Sequence, residues 1–138
     1  MKHTKDKFYE LLEDYFNNYL PVAKGLSVAT ITSYKATFRL LIEYIFKVKN
    51  ITAEKISFSV LTIECIQGFL EWLETERKCS VSTRNQRLSA IVAFAQYAQI
   101  RDFGNAILFF SFILCLYSPI IILMCDKYSA TFHHLSPP

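Results

Sequence analysis

The chain lacks the residue spacings that most small chemical sites require. Its four cysteines, Cys65, Cys79, Cys115 and Cys125, form no C-x-x-C pair and have no histidine at finger spacing, which argues against a structural zinc site. There are three glycines, and they build no Gly-rich phosphate loop. His3 stands near the start and His133 and His134 near the end, with no Ser, Cys or carboxylate motif arranged around them. No catalytic constellation is visible, and neither a metal nor another cofactor is expected. No alternating run of useful length suggests a strand, and there is no internal repeat. The opening MKHTKDKFYELLEDY has no apolar core of the signal-peptide kind, which points to a cytoplasmic chain with reduced thiols.

What is present divides into two unlike parts. The 138 residues are 52% hydrophobic, above the roughly 45 to 50% usual for soluble proteins, and the excess sits between Phe103 and Cys125. That run, FGNAILFFSFILCLYSPIIILMC, has no charged residue and is bounded by Asp102 and Asp126. Residues 1–102 have the mixed composition of a single folded domain, and residues 103–138 form a hydrophobic tail. Two readings of the tail stand: a membrane segment through residues 103–125, or an out-of-frame end with no selected role. The second is preferred, because Pro119 lies in the later half of the run and Arg101 and Lys127 give no clear orientation.

All of the net charge of +3 belongs to residues 1–102. Lys24, Lys35, Arg39, Lys47, Lys49 and Lys55 face only Glu43 and Glu54 in their stretch, and Arg77, Lys78, Arg84, Arg87 and Arg101 follow one another with no acid between Arg77 and Arg101. The acids Glu64, Glu71, Glu74 and Glu76 lie between these basic blocks; the last three read as a solvated helix face.

Apolar periodicity predicts four helices. Phe8, Leu11, Leu12, Tyr15, Phe16 and Tyr19 mark the first, which Pro21 should stop ahead of a VAKGL linker. Ser27 is a candidate N-cap for a second, with Ile31, Tyr34, Phe38, Leu41, Ile42 and Ile45 on its core side and Asn50 at its end. Thr62 is placed to cap a third, with the stripe Ile63, Ile66, Phe69, Leu70 and Leu73. The fourth is expected to open at Ser82 or Thr83, with Thr83 and Gln86 as a capping box, and to bury Leu88, Ile91, Val92, Ala95 and Ala98. Four amphipathic helices with short loops make an all-α bundle.

Lys35 and Arg39 are four residues apart and so form a short positive ridge on the second helix. The stretch STRNQR puts Ser82, Thr83, Arg84, Asn85 and Arg87 at the start of the fourth, where free amides and the helix dipole already favour an anion. These are residue types that bind phosphates and base edges, although the same charges would also suit ordinary solvated helix faces.

The segment LSVATITSYKATFRLLIEYI, followed downstream by SVSTRNQRLSAIVAFAQYA, resembles the core-binding domain of tyrosine recombinases and phage integrases. The residues carrying the likeness are Ser27, Thr30, Tyr34, Phe38 and Leu41, then Thr83, Asn85, Arg87, Leu88, Ala90, Ile91 and Phe94, and it extends over about residues 6–101. The resemblance implies a four-helix SAM-like domain that forms one half of a clamp on double-stranded DNA, alongside other recombinase protomers. Lys35, Arg39, Arg84 and Arg87 would contact phosphates, with Thr30, Thr83 and Asn85 as phosphate or base-edge donors. In that family a second domain cleaves the strand with a Tyr nucleophile and Arg, Lys and His partners. After YAQIRD this sequence has no H-x-x-R and no Tyr in a terminal motif, and Tyr117 and Tyr128 belong to the tail, so no catalysis is expected of it. The alternative reading is a small membrane-anchored helical protein whose basic faces meet anionic lipid.

Overall fold

The computed structural model describes residues 7–102. The tail of residues 103–138, with both readings of it, and His3, His133 and His134 lie outside the described residues. Within residues 7–102 every regular element is helical and no strand occurs. Helix α1, Phe8–Asp14, continues directly as a π-helical segment, Tyr15–Ala23; α2 is Val28–Lys49, α3 is Ile63–Thr75 and α4 is Val81–Arg101. No helix among the described residues is long and apolar enough to cross a membrane.

The first helix does not stop at Pro21. A proline inside an α-helix lacks the N–H for its hydrogen bond, and its ring collides with the carbonyl one turn back. Here the helix widens into π geometry from Tyr15 and carries Pro21 within it. The Lys24 N–H donates to the Tyr19 carbonyl five residues back at 2.9 Å, the wider pitch, and the Leu26 N–H closes the helix end on the Leu20 carbonyl at 3.0 Å. Between them Gly25 sits at φ +61°, a left-handed turn that favours glycine. The widened segment buries Tyr15 and Leu20 against the bundle, and Tyr15, Tyr19, Tyr34 and Tyr97 line a cavity of about 550 Å³.

Helix α2 begins where the sequence places it. Ser27 is extended, and its Oγ accepts from the Thr30 N–H at 3.2 Å; Asn50 ends the helix at φ 58°. Thr62 caps α3 in the same way, accepting from the Cys65 N–H at 3.2 Å. Helix α4 starts earlier than its periodicity suggests. The cap is Ser80, whose Oγ accepts from the Thr83 N–H at 3.1 Å, so Ser82 and Thr83 lie inside the first turn and the Thr83–Gln86 capping box is not formed. Lys78, at φ 54°, and a bond from the Cys79 N–H to the Leu73 carbonyl turn the chain sharply after α3 and leave Ser80 extended at the helix start.

Phe94 of α4 is the centre of the core. Rings from four other parts of the chain surround it: Phe8 at 5.9 Å, Tyr15 at 5.3 Å, Phe38 at 5.2 Å and Phe58 at 6.2 Å between centroids. Burial of each such ring contributes about 1.5 to 3 kcal/mol. Phe58, with Ile56 and Leu61, comes from the connection between α2 and α3, where no periodic stripe marks it as core. The expected inward residues of α4 are all buried; in α2, Tyr34 and Ile42 are half-buried, while Thr37 and Tyr44 are buried. Gly68 lets α3 approach Tyr44, whose hydroxyl occupies the space a Cβ would need.

Candidate nucleic-acid interface

The two Ser-capped helices repeat one device. In each, the residue three beyond the cap is a threonine, and its hydroxyl lies 3.0 Å from the cap hydroxyl: Thr30 with Ser27, and Thr83 with Ser80. Thr30 and Thr83 therefore act first within their own helix starts. The amides of Val81 and Ser82 remain at the positive end of the α4 dipole, where an anion is favoured.

One turn further, α4 presents Arg84 and Arg87 at the junction of three helices. The Arg84 Nη1 lies 2.9 Å from Glu74 Oε1 of α3, and its Nη2 donates to Asn85 Oδ1 at 3.3 Å. The Arg87 Nη1 donates to Thr37 Oγ1 of α2 at 3.2 Å. In both arginines Nε is buried without a hydrogen-bond partner. Asn85 is 4% exposed, so it serves the bundle interior and the Arg84 guanidinium rather than the surface.

Lys35 and Arg39 belong to another face. Each is two residues from Thr37, roughly 200° around the helix axis, and both are exposed. The Lys35 Nζ stands 6.0 Å from the centre of the Phe16 ring. The structure thus joins Arg84, Asn85 and Arg87 in one cluster and sets Lys35 and Arg39 apart from it; Thr30 stays with its cap.

Three residues that partner the arginines of this region carry no basic or STRNQR-type signal. Glu43 of α2 accepts from Lys47 at 2.7 Å and from Arg77 at 2.5 Å, and the Lys47 hydrogen bond, aided by the Arg77 charge, holds its carboxyl below the usual range. Glu74 is not simply a solvated acid, since it is Arg84's ion-pair partner. Thr37 is 2% exposed, and its position between Tyr34, Phe38 and Leu41 is the one sequence signal: a polar residue inside an apolar stripe. Arg77 also stacks over Trp72, at 5.1 Å from the ring centre. Among the described residues no group of three His, Cys, Asp or Glu side chains is placed to hold a metal.

Comparison with known proteins matches the sequence to a family. The phage integrase N-terminal SAM-like domain matches residues 13–101, a range that contains α2, α3 and α4. A protein of Sinorhizobium fredii named "Putative integrase/recombinase y4rC" is 35% identical over 88 residues, which is 64% of this chain and 26% of that protein. A second from the same organism, "Putative integrase/recombinase y4rD", is 32% identical over 92 residues, 67% of this chain and 33% of that protein. The chain spans about a quarter to a third of the length of these curated relatives. No solved structure matches. The likeness read from the two helical segments is borne out, as is the all-helical class.

Proposed function

Because the chain belongs to the phage integrase family through its N-terminal SAM-like domain, we propose that the described bundle is the duplex-DNA-binding part of a site-specific recombination protein, contributing binding rather than catalysis. The observation that carries this reading is the pair Arg84 and Arg87, one turn apart at the capped start of α4. A guanidinium has five N–H donors, four of them on its two Nη atoms. Among the described residues Arg84 donates one hydrogen bond, from Nη2, and sets Nη1 in the ion pair with Glu74, while Arg87 donates one in all, so Nη hydrogens of both remain for phosphate oxygens. The free amides of the first turn would add a dipole-aligned contact to the same strand. Lys35 and Arg39 would reach phosphates from a second face, as a clamp that wraps the duplex requires, Thr30 would meet one at the capped start of α2, and other recombinase protomers would share the site.

The reading is tested by fluorescence anisotropy of the full chain against a labelled DNA duplex across a salt series. Binding in the micromolar range or weaker is expected, with slight sequence preference and affinity falling steeply as salt rises, because counterion release from phosphates dominates. Affinity that does not change with salt would remove phosphate contact as the source of binding.

A further inference from the structure

Of the two arginines at the start of α4, one is matched by a carboxylate among the described residues and the other is not. Arg84 meets Glu74, whereas Arg87 meets the neutral hydroxyl of Thr37. We propose that Glu74 is a built-in competitor for the DNA phosphate, holding Arg84 in the free protein and setting affinity by how readily it releases that guanidinium. This rests on the DNA-binding reading above.

The geometry supports competition rather than a fixed structural tie. Glu74 stands in the last turn of α3 and Arg84 in the first turn of α4, across the tight turn at Lys78. Their side chains are 34% and 21% exposed, so the pair lies at the rim, where the carboxylate has room to swing into solvent. At 2.9 Å the contact is a close ion pair, and a phosphate oxygen could take the carboxylate's place beside the same guanidinium. A phosphate brought to Arg84 while Glu74 stays in place would also face a like charge across a few ångströms. Both effects act in one direction: the carboxylate weakens DNA binding. Among the described residues Arg87 has no carboxylate partner and is the standing cation of the pair. The exchange moves no proton and makes no covalent bond; one anion replaces another on the same guanidinium.

A carboxylate anywhere near DNA lowers affinity through its charge, so the variant needs a matched control. Glu71 is exposed, lies on the same helix and forms no ion pair among the described residues. The experiment compares Glu74→Gln and Glu74→Ala with Glu71→Gln in the full chain by two measurements. One is anisotropy on duplex DNA. The other is arginine labelling by phenylglyoxal, read by peptide mass spectrometry with and without the duplex. Both Glu74 variants are expected to bind roughly two- to fivefold tighter than Glu71→Gln, the range set by releasing a surface ion pair. Without DNA they should label Arg84 faster than wild type does, with Arg87 unchanged, and DNA should protect both arginines. Protection by DNA with no difference between the Glu74 and Glu71 variants, or weaker binding by the Glu74 variants, overturns the role of Glu74 and leaves the binding reading standing. If DNA protects neither arginine the binding reading fails, and the inference with it, even where the Glu74 variants speed the labelling of Arg84.

Discussion

The Arg87 guanidinium is tied to Thr37, a hydroxyl buried on the neighbouring helix, with Nη1 3.2 Å from Oγ1. The same hydroxyl donates to the Ser33 carbonyl at 3.3 Å, so it links the α2 backbone to a side chain of α4. Thr37→Val keeps the shape and removes both bonds. It is expected to cost about 0.5 to 1.5 kcal/mol of stability by chemical denaturation, since Arg87 can turn its freed donor to water. The salt slope of DNA binding should be unchanged, because the charge remains. A stability equal to wild type would show that the tie contributes nothing.

The separation of the cluster from the Lys35 and Arg39 ridge has a measurable consequence. Arg87→Ala should weaken DNA binding and reduce the salt slope by about one, because one phosphate no longer meets its cation. A Lys35→Ala and Arg39→Ala double variant should act additively with it, since the two places share no partner. Strong coupling between the two in salt-dependent anisotropy would contradict the two-face arrangement.

Gly68 of α3 faces the Tyr44 side chain of α2 with no room for a Cβ. A methyl group there would strike the Tyr44 hydroxyl, which is held in a buried ring. Gly68→Ala should therefore destabilise by about 1 to 3 kcal/mol through overpacking, despite the better helix propensity of alanine. Adding Tyr44→Phe, which removes the obstructing oxygen, should recover part of the loss in thermal unfolding. A Gly68→Ala variant as stable as wild type would refute the close approach.

The Tyr97 hydroxyl donates to the Asp14 carboxylate and joins α4 to α1. That bond, with another from Asn18, lowers the Asp14 pKa; burial first, then the bond to Asp14, raises that of Tyr97 to about 12. The two groups act at opposite ends of the pH range. The Asp14 contribution is complete above its ordinary value of 3.8 and is lost as pH falls through the depressed one; that of Tyr97 is complete below 10.0 and is lost as pH rises towards about 12. Tyr97→Phe should reduce the alkaline loss, the rest of which belongs to Tyr15, Tyr9 and Tyr44, whose hydroxyls burial also pushes up, and shrink the acid one, as measured by melting temperature against pH. An unchanged acid limb would show that the bond does not set the Asp14 titration.

The helix count, the caps at Ser27 and Thr62 and the buried stripes of α2, α3 and α4 were legible in the sequence because they are local: a side chain three residues from an amide and an apolar face at 3.6-residue spacing need no distant partner. The basic residues at the start of α4 were legible for the same reason. The tertiary structure decided the rest. Ser80 rather than Ser82 or Thr83 caps α4 because the turn at Lys78 sets where the chain can first enter a helix. The helix past Tyr15 widens because it carries Pro21 while packing Tyr15 and Leu20 into the bundle. Phe58 belongs to the core because Phe8 and Phe94 flank it, not because of any pattern around it. Above all, Glu43 meets Arg77 across 34 residues and Thr37 meets Arg87 across 50. No periodicity encodes such pairings, since which charge is neutralised and which is left over depends on how the helices cross.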